Sequence, residues 1–389
     1  MAETRKTVES QEGWELAGEE VTLHVTKLGG MMSAVRFGRS AGQSFEPYYI
    51  SPWQNETRDD IDPPVLSALR GDFFCMPFGA ENRYKGETHT VHGEPATAEW
   101  SFEKLDESEA GGETVRSLEL SMQTFERPGK ITKRVHLKGR QNVIYVQHVL
   151  EGYSGPTTLG HHATLRGGEA EDAIHVSTSP YRLAMTAPKA ADYTNGGEYY
   201  ALAELGEFED LEAAPTVWSK HPTTDISRFP KRRGFVDIAA VYKGPSGEPA
   251  WTTAQFVEEG WMWFSIKDPR MLPATVFWME NFGRHQAPWD GRNSCLGLED
   301  VCGYFAQGLT ESVEDNPVSL RGIPTFVNLS PDKPTMVNYI QGAVPVPDGF
   351  DGVEHVVFDA GTVRFVSHAG VTVEAAVDTG FLETGSFRS

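Results

Sequence analysis

The run "CLGLEDVCGYF", Cys295 to Phe305, holds Glu299 and Asp300 among Leu296, Leu298 and Val301. A carboxyl at the centre of such a strand is partly desolvated, which raises its pKa and makes it a better proton acceptor than a surface glutamate. Three further stretches set polar groups inside apolar surroundings, where burial is costly unless a partner or a function offsets it. "FCMPFGAENRYKGETHTVHGEPATAEW" (74–100) offers Arg83 and His92, a guanidinium and an imidazole able to hold several hydroxyls, with Gly93 allowing a sharp turn or close backbone approach. "LGHHATLRGG" (159–168) places His161 beside His162; on a strand they point to opposite faces, so only one can face a site. "ENFGRHQAPWDGRN" (280–293) gathers Arg284, His285, Trp289, Asp290 and Arg292, groups that grip polar ligands, with Trp289 presenting both a flat apolar face and an N–H donor. Taken singly, each of these residues is equally at home as a packed or surface side chain.

Metal and nucleophile chemistry fit the same residues poorly. Cys295 and Cys302 enclose six residues, where a zinc knuckle needs two to four, and there is no second close pair. A site built from His92, His162 and Glu299 is conceivable, but no spacing demands it. The chain has no P-loop, no G-x-G-x-x-G between strand and helix, and no G-x-S-x-G. The expectation is an activity with no metal and no cofactor.

The elements that must position these residues are strands. Val21, Leu23 and Val25 alternate with polar residues in "VTLHVTKLGG", as do Val135 and Leu137 in "TKRVHLKG", a period of two. Breaks such as "KGPSGEPA", "NGG" and "DAGTV" separate runs rich in Val, Ile, Phe, Tyr and Thr, as hairpins require. Helices are few and short; "DLEAAPTVW" (210–218) is the best candidate, and Pro215 cuts it. The patterning predicts an all-β chain, a large antiparallel β-sandwich. Residues 1–12 read as a loose polar tail and 13–389 as one domain, with a C-terminal meander over 350–389 that either completes the sandwich or forms a small accessory sheet.

Composition limits the partners. A chain of 389 residues at 39% hydrophobic buries a large core unaided. With Lys+Arg of 34 against Asp+Glu of 55, the net charge of -21 repels nucleic acid and anionic membranes. The N-terminus has no apolar h-region, no run is apolar for the length of a membrane span, and three cysteines give no disulfide framework, so the expected location is the cytoplasm.

In order and spacing, the four stretches resemble the galactose mutarotase (aldose 1-epimerase) family. "PFGAENRYKGETHTVHGEPATAEW" is similar to the family's Asn-Arg followed by His-Gly and a later Trp. "GHHATL" resembles its Gly-x-His-Pro-Tyr-Phe and "CLGLED" its Gly-Ile-Glu-Pro, the likeness spanning roughly residues 20 to 310. The resemblance implies a β-supersandwich with an open sugar-binding cleft and interconversion of the α and β anomers of an aldose. It implies Glu299 as the base at the anomeric hydroxyl and His162, two residues after Gly160, as the acid at the ring oxygen, in preference to His161. Arg83 and His92 would hold the sugar, with His161, Trp289 and Arg292 as further candidate sugar contacts and a small-molecule sugar as the partner. The sequence departs from the family in lacking the aromatic pair after the histidine and in carrying Asp300 where proline is frequent. Asp225 and Asp237 are candidates for the family's remaining sugar-binding carboxylate. The cluster Arg228, Lys231, Arg232 and Arg233 reads as a solvated patch or as a site for a phosphorylated sugar. Two alternatives share the scaffold: a non-catalytic carbohydrate-binding protein, and another sugar epimerase or lyase.

Overall fold

A computed structural model describes residues 3–42, 44–168, 170–188 and 199–387. The period-two patterning resolves into two large antiparallel sheets, of eleven and nine strands. Their facing sides form one core, with Leu159, Ala163, Leu165, Leu296 and Leu298 of the first sheet against Leu118, Ile131, Val135, Ile144 and Val146 of the second. Only two short α-helices occur among the described residues, Leu309–Val313 and Phe381–Thr384.

At the middle of the eleven-stranded sheet lie, side by side, Asp72–Cys75, Leu159–Arg166, Ser294–Cys302, Ala274–Asn281 and Phe235–Tyr242. Both of their faces are covered, which is why they read as nearly continuous apolar runs. The few polar side chains on the inner face are paired. His161 Nδ1 lies 3.0 Å from Asp72 Oδ2, which also accepts from Gln341 at 2.9 Å. Asp300 forms an ion pair with Lys267 and accepts from Thr275 at 2.7 Å, Ser265 at 2.6 Å and Tyr339 at 2.7 Å. The Asp300 charge is tolerated in the core because each of its oxygens finds donors.

The C-terminal strands Val353–Asp359, Thr362–Ser367 and Thr372–Ala376 form a sheet of their own. Val363, Phe365, Val377 and Phe381 from this region pack on Tyr145, Met262 and Phe264, covering the outer side of the nine-stranded sheet.

Two local expectations are corrected. Residues 3–12 are no loose tail: Arg5–Val8 is a strand paired with Gln11–Ala17 at the edge of the large sheet. Trp14 donates its indole N–H to Glu3 at 2.9 Å, and the Arg70 guanidinium donates to the carbonyls of Val8 at 2.8 Å and Glu9 at 2.9 Å. Backbone pairing and these anchors order a segment whose own side chains are polar. The helical candidate at 210–218 is a single 3₁₀ turn, Leu211–Ala213, capped by Asp210 and followed by the strand Ala214–Trp218, which holds Pro215.

Candidate active site

The outer face of the eleven-stranded sheet carries the reactive groups. Strand register sets Phe73, His162, Glu299 and Val276 in one row across four strands. Glu299 and His162 are therefore direct cross-strand neighbours, with Oε1 3.3 Å from Nε2 and only 3% and 4% of the two residues exposed. The same alternation that brings Glu299 outward sends Asp300 into the core. Gly297, two residues before Glu299, keeps the space open: a Cβ there would lie 2.9 Å from Glu299 Oε1 and 3.0 Å from Trp278 Cβ.

Loops raise walls around this row and enclose a cavity of about 560 Å³. Pro63, Val65, Leu66 and Leu69 form one wall, Gly79, Ala80, Val91 and His92 a second, and Arg284 to Ala287 with Trp289 a third. His92 stands edge-on to His162 at 4.9 Å and Phe73 stacks on His162 at 4.5 Å. The His92 backbone is left-handed at φ 61, an unusual conformation for a non-glycine residue. Gly93 then turns so tightly that a Cβ would lie 2.1 Å from the Met76 carbonyl. His92 Nδ1 accepts from the Gly79 N–H at 3.4 Å, which assigns the ring proton to Nε2. Arg284 lies over the rings of Trp278 at 5.1 Å and Trp289 at 4.8 Å, with Nε 3.6 Å from the buried Glu280 carboxylate.

Electrostatics follow from this burial. Desolvation pushes Glu299 up to about 8, against the lowering effect of Arg284. Burial, helped by Arg284, pushes His92 down to about 3, and burial together with His92 holds His162 well below the usual histidine range. At neutral pH the Glu299–His162 pair thus carries one proton, placed on the carboxyl. Glu299 can donate to His162 Nε2, while His162 Nδ1 sits 3.1 Å from the Thr164 hydroxyl. Such a pair can give a proton to one ligand oxygen and take a proton from another.

Of the sequence candidates, Glu299, His162, His92 and Trp289 line the cavity. Three others do not. Arg83 is exposed on the hairpin of Asn82–Tyr84 and Glu87–His89, held there because Asn82 accepts from the Thr310 hydroxyl at 3.0 Å. His161 points into the core by strand alternation. Arg292 turns away to Glu56, with Nη2 2.9 Å from Oε2. Asp237 accepts from the Ala201 and Leu202 N–H groups at 2.8 and 2.9 Å, and Asp225 pairs with Arg228 at 3.3 Å, so neither reaches the cavity. The basic cluster is likewise elsewhere: Lys231 pairs with Asp172 at 2.6 Å, Arg232 covers Trp218 and Arg233 covers Phe282. Trp278 and Phe73 are site residues that sequence reasoning did not select, and Arg284, singled out with its loop, was not carried among the candidate sugar contacts. Phe73 carried a usable signal, lying opposite His162 on the adjacent apolar strand, whereas Trp278 lies opposite Gly297, two residues from Glu299. Among the described residues, no group of three or more His, Cys, Asp and Glu side chains is arranged to hold a metal ion.

No protein-family model matches the sequence, and no curated protein matches it. Solved structures do. A proposed mutarotase from Salmonella typhimurium aligns over 88% of this chain and 93% of its own, with a TM-score of 0.55 at 12% identity. A proposed aldose 1-epimerase from Klebsiella pneumoniae aligns over 88% of this chain and 82% of its own, with a TM-score of 0.57 at 11% identity. The chain has the galactose mutarotase-like fold. A galactose mutarotase related enzyme from Lactobacillus acidophilus adds a third example, with a TM-score of 0.50 at 12% identity over 86% of this chain and 98% of its own. The mutarotase-like sandwich thus reaches along most of the chain, and the cavity opens on the outer side of its larger sheet. No helix among the described residues is long and apolar enough to cross a membrane.

Proposed function

We propose that the protein is an aldose 1-epimerase, interconverting the anomers of a reducing sugar held over Glu299 and His162. The observation that carries this reading is the buried Glu299–His162 pair, 3.3 Å apart on the floor of a ligand-sized cavity. Mutarotation needs one proton removed at the anomeric hydroxyl and one delivered to the ring oxygen, with no net charge. Once Glu299 has passed its proton to His162 Nε2, the carboxylate takes the anomeric proton, the C1–O5 bond breaks with its electron pair going to O5, and His162 protonates O5. The products are the open aldehyde and the pair in its other tautomer, Glu299 neutral and His162 neutral, which is the form burial favours. Rotation about C1–C2 and reversal of the same transfers close the ring as the other anomer. The charge of Arg284, which opposes the burial of Glu299, and the N–H of His92 are placed to steady the carboxylate and the ring oxygen as charge develops.

Anomer-exchange NMR over a panel of aldoses tests the reading. Glu299→Gln and His162→Asn should each lose about 10²–10⁴-fold in exchange rate, the usual worth of one positioned acid or base, with circular dichroism unchanged. Exchange no faster than in buffer for every sugar, or a Glu299→Gln variant as fast as the wild type, would sink it.

A further inference from the structure

Resting on the reading of the cavity as a sugar site, we infer that its substrate is a deoxygenated reducing sugar, one in which a ring or side-chain hydroxyl is replaced by hydrogen, rather than a fully hydroxylated or phosphorylated aldose. The reason is the scarcity and placement of polar groups. Beyond the rim residue Asp62, the 63–69 wall contributes Pro63, Val65, Leu66 and Leu69 and no polar side chain. Strand Phe235–Tyr242 contributes Ile238 alone, and strand Ala274–Asn281 contributes Val276 and Trp278, whose Nε1–H is buried with no protein partner. Glu299 and His162 are committed to the anomeric and ring oxygens. The remaining hydroxyls must share His92, the Trp278 and Trp289 N–H groups and the Arg284–Gln286 loop. A hydroxyl turned toward Val65, Leu69 or Ile238 is stripped of water with nothing returned, whereas a methyl or methylene there gains by burial.

A phosphate fares worse. Among the described residues lining the cavity, Arg284 is the one Lys or Arg, and it already faces the Glu280 carboxylate at 3.6 Å. The basic cluster of Arg228, Lys231, Arg232 and Arg233 lies outside and is tied to Asp225, Asp172 and aromatic rings.

The test compares galactose, 6-deoxygalactose and galactose 6-phosphate, then mannose with 6-deoxymannose, by anomer-exchange NMR on the wild-type protein. The deoxy sugar of each pair should exceed its parent in kcat/KM by about tenfold to a hundredfold, the range over which an apolar pocket discriminates an added hydroxyl. Leu69→Asn, and the milder Val65→Thr, should narrow that ratio severalfold by supplying a partner. Equal or faster exchange of the parent hexose, or of its 6-phosphate, overturns the inference while leaving the mutarotase reading standing. Titration calorimetry with the same sugars reads the preference apart from turnover. Deoxy-selective binding without exchange upholds the preference and overturns the reaction; unselective binding overturns the preference.

Discussion

Burial of Glu299 leaves a thermodynamic signature that pH can expose. Folded, the carboxyl keeps its proton up to about pH 8; unfolded, a glutamate releases it near pH ~4.3. Between these values the folded state holds a proton the unfolded state lacks, so stability is full below the lower value and falls as pH rises through the upper one. Glu299→Gln removes that loss. Its Tm should exceed that of the wild type by a margin that grows from about pH 5 to about pH 8.5, reflecting a few kcal/mol at ~1.4 kcal/mol per pKa unit. A constant margin in thermal melts across this range would mean that the carboxylate is ionised in the fold. The same proton sets the rate profile. Above about pH 8 the pair loses its only proton, and kcat/KM should fall about tenfold per pH unit in anomer exchange. Gly297 offers a steric test of position. Since an alanine Cβ would press on Glu299 Oε1 and Trp278 together, Gly297→Ala should cut kcat by about 10²-fold, as ångström-scale misplacement does, with far-UV circular dichroism preserved.

At the scale of elements, what the sequence reveals is what strand alternation dictates. Glu299 and the His161–His162 pair were legible because they interrupt apolar strands; the period of two splits the pair between faces, and the family resemblance alone favoured His162 over His161. The loop residues were not legible. Arg284 and Arg292 lie in one polar stretch with nothing local to separate them; the turn of the backbone beyond Glu280 carries one over Trp278 and Trp289 and leads the other to Glu56. Arg83 sits one residue from Asn82, whose bonds to Thr310 fix the hairpin with Arg83 outward, a contact between segments 228 residues apart. Likewise the strand Arg5–Val8 is invisible in composition, since its order comes from pairing and from Arg70. The C-terminal sheet belongs to a different layer from the cavity, and this separation can be measured. Phe365 is fully buried against Phe264, with ring centroids 5.0 Å apart. Phe365→Ala should cost about 3–5 kcal/mol in urea unfolding, while anomer exchange per folded molecule stays unchanged because the nine-stranded sheet and the shared core stand between them.

At the scale of the whole molecule, a net charge of -21 sits around an interior that holds the Lys267–Asp300 ion pair and the His161–Asp72 contact. The edge strand Ser101–Ala110 shows where some of it is put: Glu103, Asp106, Glu107 and Glu109 line an otherwise available sheet edge, a pattern that discourages edge-to-edge pairing. That protection has a cost, because like charges repel more strongly in the compact state than in the unfolded chain. Salt opposes the two surface effects differently. It weakens surface ion pairs, each worth at most about 1 kcal/mol and many nothing, and it screens the repulsion among all the unbalanced carboxylates at once. With the Debye length falling from about 10 Å at 0.1 M to about 3 Å at 1 M, the long-range repulsion is the larger loss. The Tm in KCl should therefore rise across that interval, while the exchange rate on a neutral sugar holds steady, since the reacting pair is buried and carries no net charge. A Tm that falls with KCl would mean that the surface ion pairs outweigh the repulsion.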